Sequence, residues 1–274
     1  MKGKRSILCF ATLFLASIAL AACGGGGDST TPPASSTVIT KVAALDNAQE
    51  TTGSTSTGVG GGVLTVDTAT GKVRGFVVST GVDNATAAHV HTAARGIAGP
   101  ITVPLVGGPD HWFVPDTAAS LTAADVAAFQ AGNMYFNIHN ADFGGGAIRG
   151  QLDVTPTATK LASLDNTQET TGSTSTGLGG GILGVDTATG KVRGFAVSSG
   201  VIGATASRVH TAVRGTAGGI TIPLVGGPDH WFVPDNAAVL TAADITAFQA
   251  GNMYFNIHNA DFTLGAIRGQ LDIP

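Results

Sequence analysis

The sequence repeats itself. A shift of 119 residues places residues 41–154 onto residues 160–273 without a gap, and 91 of the 114 aligned positions are identical. Each copy is long enough to own a hydrophobic core, so the repeat indicates duplication of a whole domain. The sequence predicts a first domain over residues 38–154, a linker over 155–159 and a second domain over 160–274. Because the linker is short, we expect the domains to sit close, share little core and fold independently.

Within each copy the dominant hydrophobic period is two, which is typical of β-strands with one buried face. In the first copy, residues 62–67 and 73–79 flank a turn at residues 68–71, where a glycine can supply a positive φ. Further strands are predicted at residues 38–45, 87–93, 101–106, 134–140 and 147–154.

One helix interrupts the strands of each copy. In the first copy it is predicted over residues 123–131, where Thr122 can cap the first turn and Asp125 lies where the helix dipole favours a carboxylate. Gly132 can end it. The predicted fold class is all-β: two tandem antiparallel Greek-key-like β-sandwich domains, each with one short helix.

The sequence of the N-terminal segment predicts that the protein is exported from the cytoplasm. A basic segment, residues 2–5, precedes the apolar run 7–19, which is too short to span a membrane comfortably but typical of a signal peptide. The run ends in Leu-Ala-Ala-Cys at residues 20–23, which resembles the lipobox of bacterial lipoproteins.

That resemblance implies removal of residues 1–22 and acylation of Cys23, which anchors the protein to the membrane by lipid. Residues 23–37 are rich in Gly, Ser, Thr and Pro and are expected to form a flexible tether. Gly24 follows the cysteine where Asp would signal retention in the inner membrane. We therefore expect a lipid-anchored protein of the bacterial cell envelope, in the outer membrane, facing the periplasm or the surface.

Composition narrows the possible partners. The net charge is −4 and the 14 basic residues are scattered, which excludes a nucleic-acid binder. Of the two cysteines, Cys9 lies in the signal peptide and Cys23 is expected to carry lipid. Disulfides and cysteine-based zinc sites are therefore not expected.

Three segments of each copy together resemble the CHRD domain family. They are an H-x-H segment (residues 87–91), an aromatic-x-N-x-H segment (134–139) and a Gly-Ala-Ile-Arg-Gly-Gln-Leu segment (146–152). The second copy carries their counterparts at residues 207–210, 253–258 and 265–271. The resemblance covers nearly all of both copies. It implies the fold and an extracytoplasmic setting, and it implies no reaction.

Two features depart from the family pattern. Ala147 and Ala266 stand where members commonly carry Glu, and Arg208 replaces the first histidine of H-x-H in the second copy. Arg208 therefore places a cation where the first copy has an imidazole.

The histidines of the two motifs are candidate metal ligands. His89 and His91 share one face of their strand, and His139 faces away from the apolar side of its own. If the two strands are neighbours, the three imidazoles converge on one Cu or Zn ion with an open position for water. His210 and His258 are the corresponding candidates in the second copy.

Structural roles are the alternative for these residues. The histidines can instead bond loop backbone and neighbours such as Arg149 or Asp142 in a polar surface layer. Asp142 and Asp261 can orient a histidine or simply form turns. Arg149 and Arg268 are expected to pair with an acid such as Glu50 or Glu169 (one pair in each copy).

No sequence motif of catalysis is present, and no catalysis is expected. One reading is a binding or structural module that presents loops to an extracytoplasmic protein or glycan. The other is an envelope Cu- or Zn-binding protein. The sequence does not place the loops of His111 and His230 in the fold, and Trp112 and Phe113 are expected to cover the end of the sandwich.

Overall fold

The computed structural model describes residues 37–273, and the residues from Thr37 onward form one compact unit. The predicted signal peptide, Cys23 and all of the tether but Thr37 lie outside the described residues. Between residues 37 and 273, no helix combines the length and hydropathy needed to cross a membrane.

The first repeat contains nine strands and a helix. The strands are β1 (Val38–Leu45), β2 (Val59–Asp67), β3 (Val73–Thr80), β4 (Ala85–Thr92), β5 (Ile101–Pro104), β6 (Val106–Gly107), β7 (His111–Phe113), β8 (Met134–Asn140) and β9 (Ile148–Gln151), and the helix is α1 (Ala123–Gln130). They form two antiparallel sheets, ordered β1-β2-β3-β7-β6 and β5-β4-β8-β9. A short 3₁₀ helix, Asn47–Gln49, follows β1.

The second repeat has the same order. Its elements are β10 (Ala158–Leu164), β11 (Leu178–Val185), β12 (Val192–Ser199), β13 (Ala204–Thr211), β14 (Gly219–Pro223), β15 (Val225–Gly226), β16 (His230–Phe232), α2 (Ala242–Gln249), β17 (Met253–Asn259) and β18 (Ile267–Gln270). The predicted fold class is confirmed: each repeat is an antiparallel β-sandwich with one short α-helix.

Each repeat has its own hydrophobic core. The buried cluster of the first repeat includes Phe129 and Phe136, and that of the second includes Phe248 and Phe255. Neither cluster contains a residue of the other repeat. Helix α1 closes its core with Val126 and Phe129, and it begins as predicted, because Thr122 and Asp125 form a capping box.

Two features of the strands differ from prediction. The strand predicted at residues 101–106 is broken at Leu105, whose N–H donates to the carbonyl of Ala88, so β5 and β6 lie in different sheets. The unplaced loop contains strand β7, in which Trp112 is buried in the core while Phe113 lies near Phe76 on the opposite side. Trp112 therefore does not simply cover the end of the sandwich.

The two repeats meet through their five-stranded sheets. Phe76 and Phe195 pack edge to face with ring centroids 6.0 Å apart, and a Cβ on Gly61 would lie 2.8 Å from the ring of Phe232. The repeats therefore share a packed interface as well as a linker.

Charged groups from both repeats complete this interface. Arg95 of the first repeat contacts Asp235 of the second at 2.9 Å, and Asp235 also accepts from Arg193 at 2.6 Å. Arg193 is nearly buried, with 6% of its side chain exposed, so its charge is neutralised where water reaches it little.

Candidate metal centre

Strands β4 and β8 bring the three predicted histidines of the first repeat together. The strands are antiparallel neighbours in which His89 lies opposite Asn137 and His91 opposite Tyr135. Alternation sends Ala88, Val90, Phe136 and Ile138 into the core, and His89, His91 and His139 therefore point to the other face of the sheet.

That face is largely covered and is not the surface layer considered from the sequence, although His91 and His139 do bond loop backbone as that alternative expected. His91 and His139 are each 8% exposed, and every residue of β8 is buried. The cover consists of loops: Ser54 donates to the carbonyl of Ala147, and Gln151 to that of Ala93. His91 and His139 thus lie in a polar layer beneath loops, where an imidazole is poorly hydrated, whereas His89 is only partly buried.

The ligand nitrogens of the three histidines lie within 4.8 Å of one another, and Nδ1 of His89 is 3.0 Å from Nε2 of His139. One point consequently lies within about 2.8 Å of all three, so metal–nitrogen bonds of about 2.0–2.1 Å need the rings to close in by less than about 1 Å. The convergence on which the metal prediction depended is present.

Backbone carbonyls fix the tautomers of two of these rings. Nδ1 of His91 donates to the carbonyl of Gly99 at 2.9 Å, and Nδ1 of His139 donates to that of Gly144 at 3.1 Å. Because a carbonyl oxygen only accepts, the neutral rings must present the Nε2 lone pair inward. Nε2 of His91 is buried with no hydrogen-bond partner among the described residues. A metal ligand whose second nitrogen is held by a carbonyl has this arrangement.

The third ring can change tautomer. Nε2 of His139 is an acceptor, so in the metal-free protein Nδ1 of His89 carries the proton that joins the pair. Transfer of that proton to the Nε2 of His89 frees Nδ1 for a metal ion without removing a proton from the protein. A cation then replaces the shared proton.

The electrostatics favour neutral imidazoles. Burial, with a smaller contribution from the neighbouring His89, lowers the pKa of His139 to about 4. Burial also lowers the pKa of His89 and of His91. All three side chains are therefore uncharged at neutral pH, which is the form that binds a metal.

A stack of side chains holds the ring of His91. It lies nearly parallel to the ring of Tyr135 with centroids 5.0 Å apart, and the guanidinium of Arg149 lies over the tyrosine ring, 3.5 Å from its centroid. The hydroxyl of Tyr135 accepts from the N–H of Gly99, the residue whose carbonyl holds His91. Sequence reasoning missed this role of Tyr135, although its alternation with Asn137 and His139 placed it on the correct face.

The expected pairing of arginine with glutamate is wrong, and so is one of the two alternatives considered for Asp142. Within residues 37–273 no ion pair joins Arg149 to Glu50 or Arg268 to Glu169. Arg149 instead donates to the carbonyls of Ile97 and Ala94 and to Gln151, and Arg268 has equivalent partners. The orienting group of His139 is the carbonyl of Gly144 and not Asp142.

The second repeat has counterparts of two of the three histidines. Nδ1 of His210 donates to Gly218 and Nδ1 of His258 to Thr263, each at 3.0 Å, and both Nε2 atoms are buried and unpartnered among the described residues. Arg208 takes the place of His89, and its charge adds to burial in lowering the pKa of His258 to about 4. A cation thus stands where the first repeat has a ligand.

The fold and the site define a class of protein: a tandem β-sandwich module in which loops cover a layer of histidines in each repeat. The CHRD domain family matches the chain twice, over residues 41–152 and 161–271, and the chain belongs to this family. CHRD domains are a binding or structural family. Neither a search of curated proteins nor a search of solved structures found a match.

Proposed function

We propose that this chain is a non-catalytic metal-binding protein of the bacterial cell envelope, anchored by lipid at Cys23. It binds one Cu or Zn ion in the first repeat through Nδ1 of His89 and the Nε2 atoms of His91 and His139. The observation that carries the proposal is the convergence of three neutral imidazole nitrogens within 4.8 Å, two of them on rings oriented by backbone carbonyls. Preorganisation of this kind lowers the cost of assembling a metal site.

Envelope anchoring rests on the sequence. The Leu-Ala-Ala-Cys segment follows a short apolar run, and the tether separates Cys23 from the first strand at Val38. The module is thereby held outside the cytoplasm, where metal ions are less tightly controlled by thiols.

A calorimetric titration of the full chain with Zn(II) and Cu(II) tests the metal site. We expect the variant His91→Ala with His139→Ala to bind one equivalent fewer than the wild type, because the site of the first repeat is removed. The matched control is His210→Ala with His258→Ala, which changes the equivalent layer of the second repeat and should keep that equivalent. A stoichiometry in the first variant equal to that of the wild type would refute the site.

A second function, binding of a glycan, is favoured by one polar cleft of the first repeat. Its lining includes Thr55, Ser56, Asp83, Asp142 and Phe143, which offer hydroxyl and carboxylate partners for sugar hydroxyls and a ring for stacking. We expect isolated cell-wall glycan to pull down the protein and to pull down less of the variant Asp142→Ala. Equal retention of the wild type and the variant would exclude this cleft.

A further inference from the structure

The interface between the repeats contains a second histidine cluster. Strands β7 and β16 point His111 and His230 at each other, and their Nε2 atoms are 3.3 Å apart. The ring centroids are 5.1 Å apart. Each histidine comes from a different repeat, at equivalent positions of the duplication, so neither repeat alone forms the pair.

The backbone around both histidines is well held. In each loop the histidine carbonyl accepts from a glycine N–H at 2.7 Å (Gly108 in the first repeat and Gly227 in the second). Across the interface, the hydroxyl of Thr80 donates to the carbonyl of Gly227 at 3.1 Å. The separation of the two imidazoles is therefore set by contacts that tie one repeat to the other.

The separation of the two Nε2 atoms fits coordination of one metal ion. For metal–nitrogen bonds of about 2.0–2.1 Å, a nitrogen–nitrogen distance of 3.3 Å subtends roughly 107°, close to the tetrahedral angle that Zn(II) adopts. A square-planar ion would need about 2.9 Å and a linear one about 4.1 Å between the same atoms. Burial, and after it the neighbouring His111, lowers the pKa of His230 against smaller opposing effects of Asp229 and Asp110, so its imidazole is neutral, which is the form that binds a metal.

We propose that His111 and His230 together bind a divalent ion of tetrahedral preference, for which Zn(II) is the probe, and that this ion bridges the two repeats. A tetrahedral ion held by two imidazoles has two further positions, which water can fill. The site is independent of the three-histidine centre, since it lies on the opposite sheet of each sandwich and shares no residue with it.

The test removes the three-histidine centre by substitution and then measures the Zn(II) binding that remains. In the full chain carrying His91→Ala and His139→Ala, we expect Zn(II) titration to retain one equivalent and Zn(II) to raise the melting temperature. Adding His230→Gln should weaken that remaining affinity by more than about tenfold, since the loss of a ligand costs at least as much as the loss of its hydrogen-bond partner. The visible spectrum of the Co(II)-loaded protein should report tetrahedral coordination before this change and not after it.

His111→Gln serves as the second variant, and metal-free unfolding shows whether either substitution damages the fold. Adding His210→Gln in place of His230→Gln is the matched control and should leave the retained equivalent unchanged. The bridge is overturned if the chain without His91 and His139 binds no Zn(II), or if both His111→Gln and His230→Gln leave its affinity unchanged. A failure of the three-histidine centre gives a different result. In that case the wild type and the variant His91→Ala with His139→Ala bind the same amount of Zn(II), and His230→Gln abolishes the binding.

Discussion

At the scale of single residues, the candidate centre depends on where each imidazole proton is held. The carbonyls of Gly99 and Gly144 keep the protons of His91 and His139 on Nδ1, so each ring offers Nε2. A substitution that kept the histidines but moved these carbonyls would leave the rings free to turn. The ligand set is thus specified by loop backbone as much as by histidine side chains.

The lowered pKa values predict unusual acid tolerance of metal binding. An ordinary histidine begins to take up its proton near pH 6.5, whereas the pKa of His139 is about 4. We expect the Zn(II) affinity of the first repeat to hold below pH 6.5 and to fall as the pH approaches 4. Titrations across this range, with circular dichroism confirming a folded protein at each pH, measure it. A tenfold loss already at pH 6 would show that the imidazoles are ordinarily basic.

The raised pKa of Glu50 predicts that the stability of the fold decreases as the pH rises, whereas metal affinity decreases as the pH falls. Burial raises the pKa of Glu50 to about 7, and its Oε1 has no hydrogen-bond partner among the described residues. The folded state keeps the proton up to about pH 7 while the unfolded chain releases it near 4.5, so the free energy of unfolding falls as the pH rises through this window.

Glu50→Gln, which cannot ionise, should therefore raise the melting temperature at pH 8 and leave it nearly unchanged at pH 4. A gain of 1 kcal/mol corresponds to roughly 2–4 °C for a chain of this size. Glu169→Gln is the matched variant in the second repeat and should behave alike. A lower melting temperature at pH 8 would mean that ionised Glu50 stabilises the fold through Arg149.

At the scale of elements, strands β4 and β13 differ in the one position that decides ligand count. Both pair with a neighbouring strand that carries Tyr, Asn and His in alternation, and both place a histidine at the same register. Only β4 adds His89, where β13 has Arg208. The second repeat therefore offers two lone pairs and one fixed positive charge.

Arg208→His should complete the second centre. We expect the full chain with this substitution to bind one further equivalent of Zn(II), because the Nε2 atoms of His210 and His258 are buried and unpartnered among the described residues and Arg208 acts electrostatically on both rings. Arg208→Ala is the control: it removes the charge without adding a ligand and should not create a strong site. An unchanged stoichiometry in Arg208→His would show that loop geometry, and not residue 208, limits the second repeat.

Sequence alternation was sufficient to predict the faces of these strands. β1 and β8 have the predicted ends, and the three histidines lie on the predicted side, because alternation along a strand is a local property. The loops that cover the histidines were not predictable, since a backbone carbonyl such as that of Gly144 leaves no mark in the sequence. The meeting of His111 with His230 was also missed, because it depends on how two complete domains pack.

At the scale of the whole molecule, two separate cores and one shared interface predict how the repeats unfold. Residues 35–156 and 157–274, expressed separately, should each fold, since each core cluster is complete within its own repeat. Each should melt below the full chain, because separation exposes Phe76 and Phe195 and breaks the contact of Arg95 with Asp235. Thermal unfolding measures this. Absence of a cooperative transition in both fragments would mean that the repeats form one domain.

Substitution of Cys23 tests the proposed lipid anchor. Cys23→Ala removes the sulfur that we propose is acylated, so the protein should leave the membrane fraction, while Cys23→Ser provides a conservative second variant with the same expectation. Fractionation after a salt wash measures it. A variant that still pellets with membranes would contradict lipid anchoring.

The most direct measurement of the central claim is anomalous diffraction from crystals of the protein grown with Zn(II) and measured above and below the zinc edge. We expect a peak in the first repeat within about 2.0–2.1 Å of Nδ1 of His89 and of Nε2 of both His91 and His139. The Nδ1 atoms of His91 and His139 should remain bonded to the carbonyls of Gly99 and Gly144. Density in which His89 and His139 keep their direct hydrogen bond, with no anomalous peak between the three rings, would contradict it.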